Sequence, residues 1–237
     1  MEIIGHTASL DKNKEALRQI VKNPHYSKLE LDFIPTKDNV LVWSHSNFLN
    51  GNIVNSSNYN TLKKKNSQLL TLEDVLEEIN EKKAILIEIK FALNASKNID
   101  EFIKRLKILT KYNNDVEVQS FNQDLIELLL INKDNLANIH FGLIINIFKT
   151  FLYNKHNIEK YNGIDFLALS SELFEWSIFK DAHLKYRELF PDAKQYAWTW
   201  DALYKENEER LNNFVNKNVD GIITSNPLLV KGLAKKL

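Results

Sequence analysis

Five ionisable residues sit in or at the ends of apolar runs that otherwise read as buried β-strands. His6 ends IIGH, Glu30 and Asp32 fall in KLELDF, His45 ends VLVWSH, and Glu88 falls in ILIEIK. An unpaired charge is costly to bury, so charges in such runs bind a cation or take part in chemistry. Glu30 and Asp32 are two residues apart and on a strand share one face. Two carboxylates pointing the same way repel unless a proton or cation lies between them. Glu88 repeats the pattern with Lys90 two residues on. Three hard oxygen donors suit Mg²⁺ or Ca²⁺ better than zinc, and two strand-end histidines can divide general base and general acid duties.

Each feature also has a plainer explanation. An edge strand with its polar side in water accounts for Glu30 and Asp32, and a buried ion pair accounts for Glu88 and Lys90. Single histidines are commonly structural, and His25, His140, His156 and His183 are read that way. The triplet Lys63, Lys64 and Lys65 reads as a solvated charge run, and the aromatic stretch around Phe148, Phe151, Leu152 and Tyr153 as packing between helices.

The elements that must position the charges alternate along the chain. EIIGH, KLELDF with VLVWSH, ILIEIK, VEVQSF, IHFGLII, DFLALSS, QYAWTW and GIITSN are each followed by a helical pattern. The strand candidates are nearly continuous runs of Val, Ile, Leu and aromatics, as parallel strands covered on both faces require. Phe102, Leu106 and Leu109 illustrate the helical spacing. Counting LELDF and VLVWSH as one unit gives about eight β/α units, which predicts a single (β/α)₈ TIM barrel, an α/β fold, over residues 1–237. An open doubly wound sheet is disfavoured because the six glycines form no phosphate-binding loop. Strand carboxyl ends converge on one face of such a barrel, where His6, His45 and the Glu88/Lys90 pair would meet. Residues 46–69 lack either periodicity and read as a mobile loop over that mouth.

Composition removes several function classes. Thirty-one basic residues balance thirty-one acidic ones, so no global field draws in nucleic acid or an anionic membrane. There is no cysteine, which excludes disulfides, thiolate metal sites and a cysteine nucleophile. No run approaches the ~20 apolar residues of a membrane span, and no signal peptide is visible, so a cytoplasmic location is expected. Helix patterns do not reveal the oligomeric state.

The order GH, LELDF, TKDNVLVWSH, LTLEDVL, IEIK, VQSFN, YAWTWD and DGIITSNP resembles the glycerophosphodiester phosphodiesterases along essentially the whole chain. That resemblance implies a barrel of the phospholipase C-like phosphodiesterase type. It implies His6 and His45 as catalytic histidines, Glu30, Asp32 and Glu88 as ligands of one divalent cation, and Lys90 as a phosphate-facing lysine. Trp198 matches an aromatic residue near the substrate. The implied reaction converts a small glycerophosphodiester, such as glycerophosphocholine or glycerophosphoethanolamine, to glycerol 3-phosphate and an alcohol. The pattern departs from the family at Thr7, where an arginine usually contacts phosphate, and at Ser46, where Asp is common. Two other readings stand beside it: a divergent paralogue acting by binding or regulation, and a phosphodiesterase that cleaves lysophospholipids.

Overall fold

Eight parallel strands close on themselves in the computed structural model, which describes residues 1–8, 10–90, 99–146, 159–175, 182–199 and 206–235. The expected helix after IHFGLII, with the Phe148–Tyr153 aromatics and His156, lies outside the described residues. Strands β1 (Glu2–His6) and β2 (Lys28–Pro35) are followed by a short β3 (Leu41–Trp43) and a two-stranded hairpin, β4 (Phe48–Leu49) and β5 (Asn52–Ile53). Then come β6 (Ala84–Ile89), β7 (Val116–Ser120), β8 (Ile139–Ile145), β9 (Phe166–Ser170), β10 (Lys194–Trp198) and β11 (Gly221–Thr224). The staves run β1-β2-β6-β7-β8-β9-β10-β11, and the β1–β11 pair closes the ring. This is a (β/α)₈ barrel.

The alternation of each stave sorts its side chains. Leu29, Leu31 and Phe33 of β2 face outward into the main core, with Leu17, Leu72, Phe102 and Leu125 from the surrounding helices. Ile4, Leu86, Ile144, Phe166, Ala168, Tyr196 and Ile223 face inward and form a second, smaller core inside the ring. Gly142 makes room there, because a Cβ at that position would lie 2.2 Å from the Phe166 ring. At the amino ends of the staves the interior is charged. Lys28 Nζ lies 2.6 Å from Glu117, 3.1 Å from Asp115 and 3.2 Å from Glu2, and the Tyr196 hydroxyl donates to Glu117. That buried network forms the barrel floor.

Helices start where side chains satisfy free backbone donors. Asn13 caps α1 (Lys14–Val21), and Thr71 with Asp74 forms a capping box on α3 (Leu72–Ile79), the helix after α2 (Tyr59–Lys65). The spacing of Phe102, Leu106 and Leu109 straddles two elements. Helix α4 (Ile99–Leu106) ends at Leu106 and the chain tightens into a 3₁₀ turn over Lys107–Lys111.

Two features differ from the sequence expectation. His45 does not end a parallel stave: VLVWSH, counted with LELDF as one unit, forms β3, which runs antiparallel to the carboxyl end of β2, with Phe33 opposite Trp43, and ends at Trp43, two residues before His45. Residues 46–69 are structured. Asn50 and Gly51, both at positive φ, turn the β4–β5 hairpin, and α2 follows. Val54, Leu62 and Leu69 from this stretch are buried against Ile34 and Val42 in a third small core. The three apolar residues lie too far apart in sequence to show helical or strand periodicity, so their common packing was invisible there.

Candidate active site

Register decides which charges meet. His6, the last residue of β1, stands opposite Glu30 of β2, and Asp32 stands opposite Glu88 of β6. All four lie on the inward face of their staves. Because β2 pairs on both sides, an edge strand with its carboxylates in water is ruled out, and all eight of its residues are buried. Donor oxygens of Glu30, Asp32 and Glu88 lie within 4.8 Å of one another. His6 Nε2 is 4.0 Å from Glu30, and Lys90 Nζ is 3.0 Å from Asp32 and 3.4 Å from Glu88.

The electrostatics of the cluster are unbalanced. Burial pushes the Glu30 carboxyl up to about 8, with repulsion from Asp32 adding to it. Burial likewise raises Glu88 to about 7, against the pull of Lys90. Lys90 is held above the ordinary lysine range: burial works against it, but attraction from Glu88 and Asp32 prevails. Glu30 Oε2 and Asp32 Oδ2 are buried with no hydrogen-bond partner among the described residues. Buried acceptor oxygens in that state call for a proton or a cation. Three carboxylates with convergent oxygens, two of them carrying an unsatisfied atom, fit one divalent cation of the Mg²⁺ or Ca²⁺ class.

His45 reaches the mouth from the side extension. The Ser44 amide donates to the Asp32 carbonyl at 3.0 Å, and the Trp43 amide to the Leu70 carbonyl, so the chain leaving β3 is pinned beside β2. His45 itself is exposed. Partial desolvation, then the nearby Lys90 ammonium, hold its pKa below the usual histidine range. Trp198 closes β10 and faces the interior. Its indole donates to the Ala168 carbonyl at 3.1 Å and meets Phe121 edge-on at 5.7 Å. The structure therefore brings His6, Glu30, Asp32, Glu88 and Lys90 into contact distance, places His45 beside them, and sets Trp198 in the wall of the same mouth.

Sequence reasoning passed over Lys12. It lies in the polar run DKNKE, which carries no signal of a site, yet its ammonium donates to the Thr7 carbonyl and sits 4.9 Å from the centre of the Trp43 ring. Gln119 was also missed, although VEVQSF alternates. It stands opposite Glu88 on β7, buried, with its side-chain oxygen unpaired among the described residues. Thr7 is fully buried and presents only its carbonyl to Lys12. The lysines of α2 serve the side extension: Lys63 donates to the Leu69 carbonyl and Lys65 to Asn52.

No family model matches the sequence. No curated protein matches it either. Solved structures do. A glycerophosphodiester phosphodiesterase from Parabacteroides distasonis superposes with a TM-score of 0.72 at 18% identity, covering 99% of this chain and 97% of its own. One from Thermotoga maritima gives 0.70 at 21% identity, with 98% of both chains covered. The fold is that of the glycerophosphodiester phosphodiesterases. A calcium-dependent phosphoinositol-specific phospholipase C from a Pseudomonas species shares it more loosely, with a TM-score of 0.54 at 9% identity over 95% of this chain and 89% of its own. The glycerophosphodiester phosphodiesterase structures match end to end, so the β3 extension, hairpin and α2 sit within a barrel of the same overall length.

Proposed function

We propose that the chain is a metal-dependent glycerophosphodiester phosphodiesterase, its barrel acting as one catalytic unit. The observation that carries this reading is the buried, convergent Glu30–Asp32–Glu88 cluster with His6 at its edge, on the carboxyl face of the barrel where such sites lie. Glu30, Asp32 and Glu88 would hold the cation, and Lys90 would stand beside the phosphate. Bound there, a divalent cation supplies charge stabilisation to the phosphoryl oxygens and orients the glycerol hydroxyls.

The residues of the chain divide the proton transfers. His45, its pKa lowered, is neutral near pH 7 and accepts the proton of a glycerol hydroxyl as that oxygen attacks phosphorus. His6, oriented by Glu30, donates a proton to the departing alcohol oxygen as its bond to phosphorus breaks. The cyclic phosphate so formed opens when water attacks with the two histidines exchanging roles, giving glycerol 3-phosphate. Lys90 offers fixed positive charge to the phosphoryl oxygens. Trp198 supplies an apolar wall for the glycerol or headgroup.

The test is release of glycerol 3-phosphate from glycerophosphocholine with Mg²⁺, with Ca²⁺ and with EDTA, alongside lysophosphatidylcholine. Turnover of the glycerophosphodiester that EDTA abolishes supports the reading. Metal binding without turnover of either substrate would turn it toward a binding or regulatory protein, and cleavage of lysophosphatidylcholine alone toward a lysophospholipid phosphodiesterase.

A further inference from the structure

Two ammonium groups approach the carboxylate cluster, and they differ in what holds them. Lys90 is engaged by Asp32 and Glu88. Lys12 comes from the turn between β1 and α1, and among the described residues it makes no salt bridge. Its ammonium is held by the Thr7 carbonyl and by the face of the buried Trp43 ring. Burial lowers its pKa, the attraction of Asp32 and Glu30 opposes that, and Lys90 repels it. The same ammonium is felt by His45. Lys12 thus lies within the electrostatic reach of the cluster, of Lys90 and of His45, although no strand carries it.

A half-buried ammonium is costly unless something negative meets it. One carbonyl and one ring face satisfy part of its donor capacity, since an ammonium has three N–H groups. The carboxylates attract it, and a divalent cation among them would offset that attraction. With the cluster loaded, Lys12 is then a positive group at the mouth without a neutralising partner among the described residues. An anion entering between it and the loaded carboxylates would complete it.

We propose that Lys12 contacts the phosphoryl oxygens of the substrate, as a second, independent anion-binding cation beside Lys90. The assignment rests on the phosphodiesterase reading for its substrate class. Trp43 acts as the platform that holds the lysine stem in place. The side extension therefore contributes to the site twice, through His45 and through the ring that carries Lys12.

The experiment compares the wild-type chain, Lys12→Met and Lys12→Arg. Methionine keeps an apolar stem over Trp43, so folding is retained and is verified by thermal melting. Calorimetry reads binding of glycerol 3-phosphate to the protein loaded with Mg²⁺ or Ca²⁺, and binding of the cation alone. Kinetics on glycerophosphocholine run in parallel. The expected result is about 10–100-fold weaker glycerol 3-phosphate binding by Lys12→Met, the loss of one charged hydrogen bond. Lys12→Arg stays within a few-fold of wild type. Cation affinity in Lys12→Met is unchanged or tighter, because a positive charge has left the neighbourhood of Asp32 and Glu30. Wild-type-like anion binding by Lys12→Met overturns the proposal, as does failure of the wild-type chain to bind glycerol 3-phosphate. A fall in cation affinity also overturns it, since Lys12 would then organise the carboxylates. Lys12-dependent binding without hydrolysis of any glycerophosphodiester supports the Lys12 assignment and removes the proposed activity instead.

Discussion

Glu30 shows what burial beside another carboxylate does to a carboxyl: it is held at about 8, and Glu88 at about 7, both far above the ordinary 4.5. The sign of the consequence is fixed by linkage. Between about pH 4.5 and 8 the folded, metal-free protein keeps protons that the unfolded chain has released, so its stability falls as pH rises through that window. Urea midpoints of EDTA-treated protein should decline from pH 5.5 to 8, and the Glu30→Gln variant should show a shallower decline. Cation binding needs ionised ligands and so releases protons. Calorimetry in buffers of different ionisation heat should find about one to two protons released per cation at pH 6 and almost none above pH 8.5. Absence of release at pH 6 would contradict the cluster's assignment as the ligand set. At the same scale, Glu30→Ala should weaken divalent cation binding by at least about a hundredfold, more than the 10–100-fold typical of a lost supporting contact. His45→Ala should instead lower kcat by about 10²–10⁴ with cation binding intact.

At the scale of elements, the β3 extension with its hairpin and α2 does the positioning. It sends His45 to the mouth by pinning Ser44 to β2, and it provides the Trp43 ring. Its own hold on the barrel is the small core of Ile34, Val42, Val54, Leu62 and Leu69. Leu62→Ala should cost about 2–5 kcal/mol locally, leaving a cavity where α2 docks. The extension would loosen before the barrel melts. Hydrogen exchange should therefore rise first across residues 41–69, and activity should fall while divalent cation binding by the barrel staves persists. Uniform exchange across the whole chain would show instead that the extension and barrel unfold as one unit. Little of this was legible beforehand. The Asn50–Gly51 turn is a strong local signal, but β4 and β5 are two residues each, too short for alternation to register.

For the molecule as a whole, the candidate site and the charged floor occupy opposite ends of the staves. The amino-terminal end carries Lys28, buried among Glu2, Asp115 and Glu117, with Tyr196 hydrogen-bonded to Glu117. This network resembles the mouth in composition, but here one ammonium, Lys28, is ion-paired to all three carboxylates. Lys28→Met would leave Glu117 buried beside an apolar neighbour and should cost about 3–5 kcal/mol. The thermal midpoint should fall while the KM for a glycerophosphodiester and cation affinity stay near wild type. A selective loss of cation affinity would place the floor in communication with the site. Among the described residues, no helix is long and apolar enough to cross a membrane.

What the sequence determined by itself was the set of staves and the charges they carry. Eight apolar runs of the right length, separated by helical spacing, require a parallel sheet covered on both faces, and eight units favour closure. The pairs Glu30/Asp32 and Glu88/Lys90 were legible because strand periodicity assigns residues two apart to the same face. Inter-strand register was not, since local periodicity says nothing about which residue of a neighbouring stave lies opposite. Only the folded barrel sets His6 against Glu30 and Asp32 against Glu88, and so turns separate charges into one cluster. The antiparallel direction of β3 and the approach of Lys12 were equally a tertiary matter. Both depend on where the chain returns after leaving a strand, and that is decided by the burial of Trp43, Val54 and Leu62, residues that carry no signal of the site they support.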